Sequence, residues 1–389
     1  MQMTAEEMER RHRLVRKAMA EDGIDVLVVG ASAQWEQRGV LRYLTDYYVP
    51  IFEEFVVIPM DGPVTFFAHY SYGAKHAADY PAIKHAEFIP IEDLYTDPGK
   101  SVANYVKKFA PKRVGIAGMG GMSARFYLSL VNGLGAIKTV EFSSRLSAIR
   151  MIKSAEEIQC VEKAMKINEE AFSAYLNAVR PGGREIDAIN EASYVARKAG
   201  AEDMYFMVGS GDKPIQCSIP LALQKNHIWK KGDLNLIIIE ISGPGGYYGE
   251  IIRLISIGEP SPAVRRAFEA VAGAQKAAES AIRPGATVGQ VADVVDGYLI
   301  EAGYYSKSSD DRAQTTTGNL IGHGMGLDVL EMPVVIHGDS TTIQPGMQFN
   351  IHPNISLPDG IRVIECECYL STETTARRLS TAPVQIFVV

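Results

Sequence analysis

The second part of the sequence contains an internal repeat that limits the folds available to it. Ala178-Val-Arg-Pro-Gly182 precedes a helical stretch that ends at Ala199-Gly200, and Ala281-Ile-Arg-Pro-Gly285 precedes one that ends at Ala302-Gly303. In both copies the final glycine lies 20 positions after the arginine. Each copy follows an alanine-rich amphipathic helix and is followed by strand-forming residues. This pattern predicts a duplicated α-then-β unit whose two sheets pair about a pseudo-twofold axis, with the helices outside and a cleft between.

The first part of the sequence predicts a separate domain of alternating strands and helices. A charged amphipathic helix over 4–22 is followed by a buried strand. Apolar, strand-like runs occur at 24–30, 55–59, 64–68 and 112–118. The repeated part opens with a helix whose Ser154 and Glu157 have the spacing of a capping box. The sequence therefore predicts an α+β protein with two domains, residues 1–148 and residues 149–389.

The charge balance and the lack of long apolar runs argue against several classes of function. Lys and Arg number 39 and Asp and Glu number 46, so the net charge of −7 disfavours a broad surface for nucleic-acid phosphates. No run approaches the roughly 18 apolar residues of a membrane-spanning helix, and the polar first residues do not form a signal peptide. Four cysteines are too few for a disulfide-rich secreted domain. We therefore expect a cytoplasmic protein that binds a small molecule and neither nucleic acid nor membrane.

Ionisable side chains interrupt the apolar and glycine-rich segments of the second domain. They are Glu240, Glu250, Arg253, His323, His352, Glu365 and Glu367. Because burying an unpaired charge is costly, we expect most of them to meet in the central cleft. Glu250 and Arg253 are three residues apart, so on a regular strand they point to opposite faces and only one of them enters the cleft. The alternative for Glu240 and Glu367 is the solvent face of a strand.

The segment around His323 is similar to a known family signature. Gly322-His-Gly-Met-Gly326, followed by Glu331-Met-Pro333, resembles the His-Gly-x-Gly motif of the creatinase/methionine aminopeptidase/Xaa-Pro peptidase family. The similarity covers about 150–380 well and the first domain more loosely. This resemblance implies a creatinase-like N-terminal α/β domain and a duplicated C-terminal "pita-bread" domain, in agreement with the repeat. It also implies a homodimer in which the N-terminal domain of the partner lies near the active site.

Peptidases of this family hold two divalent metal ions with Asp, Asp, His, Glu and Glu, and this sequence departs from that set. By resemblance, the five positions are occupied by Glu240 (or Ile238), Glu250, His323, His352 and Glu365 (or Glu367). Glu is one methylene longer than Asp, and two such exchanges alter a centre whose ions lie only about 4 Å apart. We therefore expect no metal cofactor; the alternative is a single Zn, Mn or Fe ion. Its ligands would come from His323, His352, Glu240, Glu250 and Glu365.

A site without metal resembles those of creatinase and ectoine hydrolase, which cleave a C–N bond in a small polar or zwitterionic nitrogen compound. The resemblance then implies that His323 or His352 transfers protons. Glu250 and Glu365 would bind a cationic group and activate water. The further substrate-binding candidates are Glu240, Arg253, Tyr248, Trp35 and Glu367. We therefore predict a non-peptidase hydrolase; the alternatives are a metal-dependent Xaa-Pro-type peptidase with altered ligands, a lyase, and a non-catalytic protein that binds a small molecule or peptide.

Overall fold

The computed structural model describes residues 3–34, 37–212, 226–304 and 320–389. The chain divides into two compact units, Met1–Arg150 and Met151–Val389. The sequence places this division two residues earlier, between 148 and 149. Across the described ranges, the helices are all too short or too polar to cross a membrane.

The first unit is a six-stranded sheet with helices between its strands. Its elements are α1 (Ala5–Glu21), β1 (Val26–Ala31), α2 (Gly39–Thr45), β2 (Glu54–Pro59), β3 (Thr65–Ala68), α3 (Ser71–Ala77), β4 (His85–Phe88), α4 (Ile91–Leu94), α5 (Lys100–Lys107), β5 (Arg113–Ala117), a short 3-10 helix (Met119–Gly121), α6 (Ala124–Leu134), β6 (Lys138–Glu141) and α7 (Ser143–Met151). The strand order is β4-β3-β2-β1-β5-β6, with β2 antiparallel to both of its neighbours and the other pairs parallel. The central strand β1 is buried along its whole length, as its continuous apolar sequence requires.

The second unit contains both copies of the predicted α-then-β unit. Its elements are α8 (Ala155–Ala178), α9 (Glu185–Lys198), β7 (Asp203–Gly211), β8 (Leu234–Ser242), β9 (Tyr248–Ser256), α10 (Pro262–Ala281), α11 (Val288–Glu301), β10 (Gly322–Gly324), β11 (Glu331–Val335), β12 (Gln348–Ile351), β13 (Asn354–Ser356), β14 (Arg362–Ile364), β15 (Glu367–Ser371), β16 (Ala376–Arg378) and β17 (Phe387–Val388). One sheet has the order β17-β9-β8-β7, another has the order β11-β10-β12-β15-β16, and β13 pairs with β14. Helices α8 and α9 share one apolar core with β7, β8 and β9, and α10 and α11 share another with the later strands.

The hairpin of β8 and β9 fixes the relative positions of two acidic residues. Its turn contains Gly245 and Gly246 at φ angles of 98° and 81°, which glycine adopts without strain. The two strands pair without a register shift over their whole length, and Glu240 lies directly opposite Glu250. Residues opposite each other in an antiparallel pair project to the same face, so both carboxylates lie on one side of the hairpin.

The two sheets meet beside β9. Ile252 on β9 forms an isolated antiparallel bridge with Cys366, which lies between β14 and β15. In the second sheet β12 runs between β10 and β15, so that Asn350 has His323 as its partner on one side and Cys368 on the other. These three pairings bring residues from four separate parts of the sequence to one place.

Candidate active site

Three of the predicted site residues converge from three strands. Glu250 projects from β9, His323 from β10, and His352 directly follows β12. Nε2 of His352 lies 3.2 Å from Oε2 of Glu250, and Nε2 of His323 lies 3.8 Å from the same oxygen. All three residues are buried, and their potential ligand atoms lie within 4.8 Å of one another. A carboxylate and two imidazoles thus face a common point.

His323 is held in one tautomer by the backbone of its own strand. Its Nδ1 lies 2.9 Å from the carbonyl oxygen of Gly324. A carbonyl oxygen can only accept, so Nδ1 carries the proton and Nε2 keeps its lone pair on the side of Glu250. Burial, followed by the nearby His352, lowers the pKa of His323. The imidazole is therefore neutral at neutral pH, which is the form that binds a metal ion.

Glu250 is ionised despite its burial. Burial alone would raise the pKa of this carboxyl group, but His352, His323 and the amide of Asn350 together lower it. Nδ2 of Asn350 donates to Oε2 of Glu250 over 2.7 Å. Sequence reasoning did not single out Asn350, although an amide in the apolar strand β12, two residues before His352, was a signal for it.

Glu365 and Glu367 lie with Arg253 and not with the two histidines. Nη1 of Arg253 is 2.8 Å from Oε1 of Glu365, and its Nη2 is 2.6 Å from Oε1 of Glu367. The side chains of all three are fully buried, and burial raises the pKa of both carboxyl groups. Because β9 is regular, Arg253 points to the face opposite Glu250, as the sequence indicates. Glu367 therefore does not face solvent. Glu365 was predicted to be catalytic together with the two histidines, but it is paired with Arg253 instead.

Two further predicted residues, Glu240 and Tyr248, lie on the hairpin of β8 and β9. Glu240 is buried on the same face as Glu250. Tyr248 is buried as well, and its hydroxyl donates to Asp203 over 3.2 Å. Trp35 lies outside the described residues, so its predicted contact with substrate stays a prediction.

The residues present fit one divalent metal ion and do not fit two. Two imidazoles and a carboxylate form the donor set that catalytic zinc sites and 2-His-1-carboxylate iron sites use. Glu250, His323 and His352 offer this set. Among the described His, Cys, Asp and Glu side chains, these three lie close enough together to share an ion. Glu365, the fifth position of the dinuclear set, and its alternative Glu367 are both paired with a buried guanidinium instead. The donor set thus supports the alternative of one ion over the expected absence of metal.

The fold and the site define a two-domain protein of the creatinase and Xaa-Pro aminopeptidase type. Residues 11–152 match the creatinase/prolidase N-terminal domain. Residues 159–372 match metallopeptidase family M24. The second match covers more than half of the chain, and the chain belongs to metallopeptidase family M24. The predicted family and the predicted α+β fold class are confirmed.

Similar proteins are named as peptidases. An uncharacterized peptidase of Bacillus subtilis is 29% identical over 294 residues, which cover 74% of this chain and 78% of the relative. The Xaa-Pro dipeptidase of Pyrococcus furiosus is 30% identical over 237 residues, which cover 60% of this chain and 64% of the relative. The crystal structure of an X-Pro aminopeptidase from Thermotoga maritima matches with a TM-score of 0.81 at 22% identity and covers 97% of this chain and 99% of that one. This last similarity shows the fold, while the names of the relatives favour the peptidase alternative over the non-peptidase hydrolase that the sequence predicts.

Proposed function

We propose that this protein is a metal-dependent hydrolase that cleaves the C–N bond of a short peptide of the Xaa-Pro type, using one divalent ion. The observation that carries the proposal is the buried group of Glu250, His323 and His352, whose potential ligand atoms lie within 4.8 Å of one another. Membership of a metallopeptidase family and the names of the relatives support the same activity. The donor set is compatible with zinc, manganese or iron.

The chain's own residues would divide the chemistry between them. A divalent ion supplies Lewis-acid polarisation of the scissile carbonyl group. The backbone contact of His323 holds its Nε2 lone pair toward the site, and Asn350 holds the carboxylate of Glu250. We assign Glu240 as the general base that would take the proton of the attacking water and return it to the departing amine, because Glu240 is buried on the same face as Glu250 and directly opposite it.

The number of ions distinguishes this site from a dinuclear one. Protein stripped with a chelator and reloaded with Zn²⁺, Mn²⁺ or Fe²⁺ should bind about one ion per chain, because one carboxylate-and-imidazole group is present. His352→Ala should abolish tight binding and hydrolysis of Xaa-Pro dipeptides. His337→Ala is the matched control, since His337 is bonded to Asp293 and Asp296 and not to the site. Two tightly bound ions, or none, would contradict the proposal.

A second candidate function is the metal-free cleavage of a C–N bond in a small zwitterionic compound, as in creatinase and ectoine hydrolase. The observation that favours it is the contact of His352 Nε2 with Glu250 Oε2 at 3.2 Å, which can transfer a proton without a metal ion. Chelator-treated enzyme separates the two candidates. Turnover of guanidino or cyclic-amidine compounds that survives chelation would favour the second candidate, and turnover of Xaa-Pro dipeptides that requires the ion would favour the first.

We also propose a homodimer, with the N-terminal domain of one subunit near the active site of the other. The support for this arrangement is the family resemblance. Light scattering of the purified protein should give the mass of two chains, and a monomer that is fully active would contradict it.

A further inference from the structure

Asn350 lies on the central strand of the second sheet, and its amide joins the candidate metal ligand Glu250 to Cys368. The residue has no exposed surface. Nδ2 donates to Oε2 of Glu250 over 2.7 Å, and Oδ1 lies 2.7 Å from Sγ of Cys368. The amide thus lies between an anion that can only accept and a thiol that can donate.

The contact with the thiol of Cys368 determines which end of the Asn350 amide faces Glu250. Oδ1 of Asn350 can only accept, so the contact with Cys368 requires the S–H group to be the donor. With Oδ1 engaged by Cys368, the N–H end is directed at Glu250. An amide turned the other way would place Oδ1 against a carboxylate oxygen, and two acceptors repel each other.

We propose that Asn350 is a positioning residue that sets the orientation of the metal ligand Glu250, and that Cys368 sets the orientation of Asn350. This inference rests on the proposed function, because it assigns Glu250 to a metal ion. Groups that orient a metal ligand from behind typically change metal affinity by about 10- to 100-fold when they are removed.

The first test compares two buried asparagines. Asn350→Leu keeps approximate volume and removes the donor to Glu250, so the Kd of the apo protein for Zn²⁺ should rise about 10- to 100-fold. Asn168→Leu is the matched control, because Asn168 is also fully buried in the second unit and donates to the carbonyl oxygens of Ala164 and Ile241. The control should lose stability without a change in Kd. Isothermal titration gives the Kd, and the visible absorption of Co²⁺-loaded protein reports the coordination geometry.

The second test separates orientation from stability and does not require the leucine variant to fold. Cys368→Ser retains a donor to Oδ1 of Asn350, whereas Cys368→Ala removes it. We expect Cys368→Ser to keep the wild-type Kd and Co²⁺ spectrum, even though a buried hydroxyl lowers stability. Cys368→Ala should weaken binding several-fold and change the spectrum.

The outcomes distinguish failure of the positioning role from failure of the proposed function. Wild-type Kd values in both Asn350→Leu and Cys368→Ala would overturn the positioning role and leave the proposed function intact. Equal weakening in Asn168→Leu would also overturn it, because affinity would then follow stability. Failure of the wild-type protein to bind Zn²⁺ or Co²⁺ would overturn the proposed function and this inference together.

Discussion

Replacement of Arg253 by methionine should destabilise the second unit strongly, because it removes a cation from between two buried carboxylates. Arg253, Glu365 and Glu367 have no exposed side-chain surface, and the two Nη–Oε distances are 2.8 and 2.6 Å. The guanidinium also donates to the carbonyl oxygen of Cys366 and to the hydroxyl of Ser380. Methionine replaces the aliphatic part of the arginine side chain and carries no charge, so the substitution keeps the packing of that part and removes the cation.

The expected loss follows from the burial of the charges that remain. Breaking a buried ion pair by removing one partner costs about 3–5 kcal/mol. The Nε of Arg378 remains 3.4 Å from Oε2 of Glu367, which keeps part of the compensation for that residue. The expected loss of unfolding free energy is therefore that of one buried ion pair, about 3–5 kcal/mol, and not that of two. For a domain of this size the loss corresponds to a fall in Tm of roughly 6–20 °C.

Chelator-treated protein should be unfolded in urea, so that metal binding does not contribute. The fluorescence of Trp229 reports the second unit, because that side chain is 1% exposed in its core. A Trp35→Phe background removes the other tryptophan. Arg377→Met is the matched control, since Arg377 lies 2.6 Å from Glu162 but both side chains are nearly half exposed. An exposed pair of this kind contributes only about 0–1 kcal/mol.

A rescue variant checks the cause. Adding Glu365→Gln and Glu367→Gln to Arg253→Met removes the uncompensated charges and should recover much of the lost free energy of unfolding. The reasoning would be refuted if Arg253→Met were no less stable than Arg377→Met. It would also be refuted if the triple variant were less stable than Arg253→Met alone.

Two further predictions concern a buried carboxyl group and a close strand contact. Burial, opposed by the hydroxyl of Tyr47, raises the pKa of Glu54 to about 8, so stability should fall as pH rises from about 4.5 to about 8. In urea unfolding, Glu54→Gln should remove up to roughly 4–5 kcal/mol of this pH dependence of stability. The control Glu9→Gln changes an exposed residue and should leave the pH dependence unchanged, so equal pH profiles of the two variants would contradict the prediction. A Cβ at Gly322 would clash with the backbone oxygen of Asn350, so Gly322→Ala should displace β12 and weaken both stability and Zn²⁺ binding. Gly297→Ala, with no atom within 4 Å of the added Cβ, should be neutral or stabilising, and similar effects of the two alanines would disprove the steric argument.

The duplicated fold was predictable because the sequence patterns that indicate it are local. Helix capping at Ser154, amphipathic periodicity and the repeated Arg-Pro-Gly turns depend on residues close in sequence. His323 was identifiable for a similar reason, since the glycines on both sides of it permit the close approach of β10 to its neighbours, Gly322 to β12 and Gly324 to β11. Glu250 and His352 were identifiable because each interrupts an apolar segment, and the resemblance to the family then suggested their roles.

Only the tertiary structure determines which of the candidate residues form the site. Whether Glu365 joins His323 or Arg253 depends on which residue of β9 stands opposite Cys366, and that pairing joins segments more than a hundred residues apart. A shift of one residue in the register would exchange the faces of the strand and bring a different set of side chains to the histidines. Asn350 acquires its role only because β12 lies between β10 and β15. Alternation along a strand is a local property, but the face that meets another strand is fixed only when the sheets pack together.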